Sequence, residues 1–249
     1  MRSDVPPSHG HAAGSEAWAR RLDMPVAFAS AHEIVVVKPE GMAVELTRDP
    51  RGESLIARVR AAAGPGANPR LPHRLDRVTR GFVVVALTDS AAAWHGGALE
   101  RGEWTKVYLA RVRPQRGIDP TTLVGEHKVY LRQRDMRAEV VRAGGKPSRL
   151  VVEGAWPAPG RDDQWHMVVR LLTGRFHQVR VMLAHLGAPL VGDALYGGDP
   201  GRMCLEHAGL RFVPTEAEHA ATVFDARDPE REPVDPGALG AIARCITGG

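Results

Sequence analysis

The apolar residues of this chain come in short runs, each closed by a turn or a polar cluster, and that spacing sets the class of fold. EIVVVK at 33–38 stops at Pro39-Glu40-Gly41, and FVVVAL at 82–87 follows the polar stretch 71–81. Residues 104–113, 149–153 and 165–172 (WHMVVRLL) read as further strands. Between them, 53–63 carries apolar residues at helical spacing and ends at Gly64-Pro65-Gly66. Residues 89–101 read as a short helix with Asp89 or Ser90 as N-cap, and 176–186 as another, capped by Thr173 and stopped by Gly187. Strands with a few interposed helices predict an α+β fold with a mostly antiparallel, mixed sheet.

No run approaches the ~18 apolar residues of a membrane helix, and residues 1–19 lack the basic start and apolar centre of a signal peptide. Two cysteines, Cys204 and Cys245, exclude a disulfide framework and a four-cysteine zinc site. The expectation is a soluble, cytoplasmic protein. At 249 residues the chain has room for one large domain or two small ones. The division expected is a loose N-terminal tail over 1–23, a core domain over 24–213, and an acidic Pro/Gly-rich extension over 214–249.

The net charge of +4 hides a polarised chain: 48–149 holds 20 basic and 10 acidic residues, 214–236 only 2 basic and 7 acidic. A basic region of that kind attracts polyanions. Of the 33 basic residues 29 are arginine, which suits phosphate and base stacking but follows equally from GC-rich codons.

Three polar segments stand beside the apolar strands. His73-Arg74-Leu75-Asp76-Arg77 with Thr79 and Arg80 sets one carboxylate among three arginines. That is a charged nucleophile or base, or equally a structural loop ion pair. In the second segment Lys106 and Tyr108 share a strand face, offering a cation for phosphate and a ring for a base, or else an ordinary sheet with a snorkelling lysine. The third joins Thr173, Gly174, Arg175, Phe176, His177, Gln178 and Arg180 at a turn entering a helix. It is an anion platform of free N–H groups, or a plain helix cap. Phosphate-loop, dinucleotide, nucleophile-elbow and HExxH motifs are missing, so no cofactor or metal is expected.

In this order the segments resemble the RluA-type pseudouridine synthases. The family's KP-x-G turn corresponds to Lys38-Pro39-Glu40-Gly41, its HRLDxxTSG signature to residues 73–81, its KxYxA segment to residues 106–110, and its long TGRxHQ…GDxxYG signature to residues 171–197. Residues 145–148 echo a further motif weakly, and 205–212 resemble the closing strand. Arg80 stands where the family usually has Ser, Phe82 where it has Leu, and Met182 where it often has His. The resemblance implies the synthase-type sheet with a central RNA-binding cleft, and a cofactor-free isomerisation of uridine in ribosomal or transfer RNA.

It further implies Asp76 as the catalytic aspartate, Arg175 as its ion-pair partner and Tyr108 stacked on the flipped uracil. His73, Arg74, Arg77, Thr79, Lys106, Gly174, His177, Gln178 and Arg180 are implied to support the loop or contact RNA. RNA is then the partner, with no obligatory protein partner and a monomer expected. Competing expectations are a non-catalytic RNA-binding factor on the same scaffold and, with Asp76 and Asp193 paired, a glycoside hydrolase.

Overall fold

The computed structural model describes residues 12–46, 53–228, 230 and 232–248, in two compact units. The first comprises residues 1–104 and 210–224, the second 105–209 and 225–249. Among the described residues ten strands and five α-helices give the expected α+β class, and every described pairing between named strands runs antiparallel.

In the first unit β2 (Glu33–Lys38) pairs with β1 (Val26–Ala29) on one side and β3 (Arg80–Ala86) on the other. Both long strands are buried along almost their whole length, which is why they are nearly continuous apolar runs. Helix α2 (Leu55–Ala63) is capped by Ser54, whose hydroxyl accepts the Ala57 N–H, and turns its buried Leu55, Ile56 and Val59 inward. Helix α3 (Asp89–Glu100) is capped by Thr88, not by the expected Asp89 or Ser90; the Thr88 hydroxyl accepts the Ala91 N–H at 3.1 Å. Phe28, Val35, Phe82, Val84, Trp104 and Phe212 form the core of this unit.

The second unit is built on a five-stranded run, β4 (Thr105–Val112), β8 (Trp165–Leu171), β7 (Lys146–Pro157), β5 (Gly125–Arg134) and β6 (Arg137–Val141), in that spatial order. Strand β9 (Leu205–Phe212) is divided between the units, and β10 (Ala221–Phe224) lies in the first. Helix α4 (Gln178–His185) buries Val179, Val181, Met182 and Leu183. Met182, at the position where the family often has His, is therefore a core residue, 1% exposed.

Two expectations about the ends are corrected. Residues 1–11 of the expected loose tail lie outside the described residues, but Ala12–Leu22 is a helix, α1, whose Leu22 is buried. The acidic extension ends in a further helix, α5 (Pro236–Thr247), started by an Asp235 cap with Pro at the first position. It packs on β4, β7 and β8, and a Cβ on Gly209 would lie 2.9 Å from Ile242, so the helix fits only over a glycine. The acids before it are engaged as well. Asp228 and Glu230 meet the buried Arg111, and Glu232 takes a hydrogen bond from Arg161 at 2.6 Å. Part of the tail's negative charge is thus balanced within the second unit. No described helix is long and apolar enough to cross a membrane.

Candidate active site

In the first unit, the loop that carries Asp76 is fixed from behind by a buried lysine. Lys38 ends β2 with its side chain fully enclosed, and its ammonium donates to the carbonyls of Pro39 at 2.8 Å, Met42 at 2.9 Å and Arg77 at 3.3 Å. One cation thereby ties the 39–42 turn to the residue after Asp76. Burial pulls the ammonium pKa down to about 8, against the opposing pull of the Asp76 and Glu40 charges. The same turn is zipped twice more. The Gly41 N–H donates to the Arg77 carbonyl at 2.8 Å, and Arg77 Nε donates to the Gly41 carbonyl at 2.7 Å. Gly41 holds φ +80°, a left-handed value that favours glycine in this turn.

His73 closes the loop's other end. Its Nε2 accepts the Val84 N–H at 2.9 Å, two residues from Ala86, which pairs with Arg70 as an isolated bridge. The imidazole therefore continues a backbone ladder along β3, with its edge against Trp104 at 5.1 Å. Between these anchors Leu75 and Thr79 are buried, the Thr79 N–H donates to the Asp76 carbonyl, and Asp76 itself is half-buried. Arg74 is exposed and pairs with Glu45 at 2.6 Å.

In the second unit the register of β4 sets Lys106 opposite Leu171 and Tyr108 opposite Val169, so both stand on one sheet face as the alternation predicts. Tyr108 is 6% exposed, and His207 covers one face of its ring in a stacked pair (centroids 4.8 Å, 17°). Lys106 is half-buried beside Gly174, its Nζ 3.7 Å from where a glycine Cβ would be. Burial lowers the Lys106 pKa.

The turn into α4 differs from its expected form. His177 is the residue before the helix, in the left-handed region at φ 54° and with no side-chain cap. Thr173 does not cap the helix; its hydroxyl accepts the Arg149 N–H at 2.8 Å and donates to Gln178 Oε1 at 2.9 Å. That same amide oxygen accepts the Arg175 N–H, while the Gln178 N–H donates to the Arg175 carbonyl. Two N–H groups expected to be free for an anion are therefore spent inside the turn.

Gln178 and Arg180 are buried, with scaffold partners. Arg180 grips Asp193 through two hydrogen bonds, at 2.7 and 2.8 Å, and lies over the Tyr196 ring. Tyr196 in turn accepts the Ala138 N–H at 2.7 Å and shares a hydrogen bond with His177 Nδ1 at 2.9 Å. What this framework leaves at the surface is Arg175, whose Nε reaches the Pro147 carbonyl at 3.4 Å.

Sequence reasoning missed two members of this apparatus. Lys38 was read only as part of a turn, although a lysine closing an apolar strand immediately before proline was a visible signal. Asp193, considered in the sequence only as a second carboxylate for glycoside hydrolysis, is the buried partner of Arg180. Among the described residues no three His, Cys, Asp or Glu side chains gather as a metal site would require.

These features meet a known family. Residues 32–185 match the RNA pseudouridylate synthase family, and the chain belongs to it, in its RluA-type branch. It is 32% identical over 217 residues to the ribosomal large subunit pseudouridine synthase D of Pseudomonas aeruginosa, covering 84% of this chain and 65% of that protein. An uncharacterized RNA pseudouridine synthase of Chloroflexus aurantiacus is 35% identical over 181 residues, 71% of this chain and 54% of its own. The chain thus spans between half and two thirds of the length of these relatives. The dual-specificity RNA pseudouridine synthase RluA of Escherichia coli K12 is 29% identical, over 78% of this chain and 89% of its own. Among solved structures, human RNA pseudouridylate synthase domain containing 1 shares the fold with a TM-score of 0.64 at 24% identity, over 89% of this chain and 94% of that one.

Proposed function

We propose that this protein is an RNA pseudouridine synthase, acting in the cytoplasm on uridines of ribosomal or transfer RNA with Asp76 as its catalytic group. In the reaction the N1–C1′ bond breaks, the uracil turns, and a C5–C1′ bond forms. The C5 proton leaves and N1 regains one, so atoms and electrons balance without an external oxidant or hydrolytic water. The observation that carries the reading is the aspartate loop. A half-buried carboxylate sits on backbone that Lys38, Gly41 and His73 hold rigidly. Such preorganisation is what a group attacking or deprotonating a sugar requires.

The roles proposed for the others are those the family resemblance implies. By that resemblance Arg175 would be the ion-pair partner of Asp76. Tyr108, stacked on His207, would contact the flipped uracil and take the C5 proton. Lys106 and Arg74 would face phosphates, while His73, Arg77, Thr79, Gly174, His177, Gln178 and Arg180 position the loop and the turn. Flipping a nucleotide costs a few kcal/mol, which phosphate contacts and one stacked ring supply.

The deciding experiment measures pseudouridine in RNA from cells carrying wild-type protein, Asp76→Asn or no protein. Loss of defined pseudouridines in both of the latter is expected, and the positions lost name the substrate. Full activity of Asp76→Asn overturns the assignment.

A further inference from the structure

Beside Arg175 the second unit holds a cavity of about 400 Å³, within the size range of small-ligand sites. Arg132, Gln133, Lys146, Arg175 and Phe176 are among the residues that line it, and no acidic residue is; by strand alternation the Arg132 guanidinium turns to the face opposite Leu131 and Lys146, toward Glu139. Arg132 shares its charge with Glu139 at 2.9 Å, whereas Lys146 stands exposed at the start of β7. Phe176 is half-buried, held flat by a stack on His177 with centroids 3.8 Å apart and planes at 20°. The register relates one of its lining residues to the sheet face of Lys106 and Tyr108. Lys146 pairs with Leu131, and the pairs His127–Leu150, Leu150–Leu171 and Leu171–Lys106 carry the same sheet face across to Lys106 and Tyr108.

A nucleotide presents an anion, a flat ring and a hydrogen-bonding edge, and unpaired RNA bases are commonly recognised through such stacking and edge contacts. We propose that this cavity binds the nucleotide adjacent to the target uridine, unstacked from its neighbours. Its phosphate lies toward Lys146, its base on Phe176, and its edge faces Gln133. The inference rests on the RNA reading above and narrows it. The substrate is a single-stranded loop or bulge in which two consecutive nucleotides are splayed out, not a continuous duplex.

Fluorescein-labelled pentauridylate, read by anisotropy at fixed salt, tests this on the full chain. Lys146→Gln and Phe176→Leu are each expected to weaken binding about tenfold, the scale of one lost stack or phosphate contact. Phe176→Leu should leave affinity for a 16-base-pair RNA duplex unchanged. A pentamer bearing 4-thiouridine should crosslink within 131–146 or 174–178. Circular dichroism checks that each variant is folded; should Phe176→Leu misfold, Lys146→Gln and the crosslink decide. Affinity changed less than twofold by both substitutions, equal losses on pentamer and duplex for Phe176→Leu, or crosslinks elsewhere overturn the proposal. If wild-type protein still forms pseudouridine in cellular RNA, that failure belongs to the cavity alone; loss of pseudouridine dependence overturns the enzymatic reading.

Discussion

Lys38 and Arg77 lie 39 residues apart in sequence, and the ammonium of the buried Lys38 reaches the Arg77 carbonyl at 3.3 Å. The aspartate loop is therefore held by a charge on the strand behind it. Replacing Lys38 with methionine keeps the volume but takes this donor from the Pro39 and Met42 carbonyls and leaves the Arg77 carbonyl with the Gly41 N–H alone. Unsatisfied buried groups cost about 1–3 kcal/mol, and the loss should loosen the Asp76 loop more than the sheet. The expected outcome is a folded protein whose pseudouridine formation falls at least tenfold, with RNA affinity changed little. Single-turnover rates and filter binding on the same RNA check it.

The titration of Lys38 gives a pH dependence with a defined sign. Its pKa drops from the ordinary 10.5 to about 8 in the folded chain, so the unfolded chain binds more protons between those values. Lys38's contribution to stability therefore rises as pH climbs from 8 toward 10.5, and is lost as pH falls through about 8. Relative to Lys38→Met, wild type should gain about 2 kcal/mol between pH 8 and roughly pH 9.5. Activity should move the other way. A neutral amine has one donor fewer for the three carbonyls and no charge beside Asp76. Urea unfolding and rate profiles for the two proteins separate these effects, and parallel curves would remove Lys38 as the titrating group.

Arg180 and Asp193 form a buried charge pair in the second unit, with side chains 7% and 2% exposed. Removing one partner of such a pair costs about 3–5 kcal/mol, because the remaining charge stays buried. Asp193→Asn should lose stability of that order in urea. The loss should also reach Tyr196, which lies under Arg180 and holds both His177 and Ala138. An amide hydrogen-exchange map should then show faster exchange over 137–141 and 175–181 than over β2 and β3.

What could be read from the sequence follows from how strongly burial writes itself into residue type. Strands β2, β3, β4 and β8 are buried enough that their apolar runs leave few other readings. Strand β5 alternates half-buried with exposed positions, and Glu126, Lys128, Arg132 and Arg134 on its open side hide the period. Helix α5 was taken for a Pro/Gly tail, although Asp235-Pro236 followed by Ala and Ile at helical spacing is a helix start. At the site, the motif residues were legible as types. Their division of labour was not, since nothing local announces that His73 will take the Val84 N–H or that Gln178 will occupy the N–H of Arg175. Such bonds depend on which strand arrives alongside.

Glycine offers the sharpest contrast between the turn read from sequence and the turn that exists. Gly174 permits a tight turn, yet its φ is not positive, and an added Cβ would meet only Lys106 Nζ at 3.7 Å. Gly192, by contrast, holds φ +82°, and a Cβ there would lie 1.9 Å from the Arg202 carbonyl oxygen. Alanine restricts the unfolded chain, which at a compatible position stabilises by about 0.4–1 kcal/mol. Gly174→Ala should thus be as stable as wild type or slightly more so, with any loss confined to RNA affinity through a displaced Lys106. Gly192→Ala must shift backbone next to Asp193 and should cost at least about 3 kcal/mol, comparable to breaking the Arg180 pair itself. Urea midpoints of the two variants at matched m-values test the contrast, and a Gly174→Ala protein destabilised as much as Gly192→Ala would show that the 173–175 turn is strained in a way its dihedrals do not record.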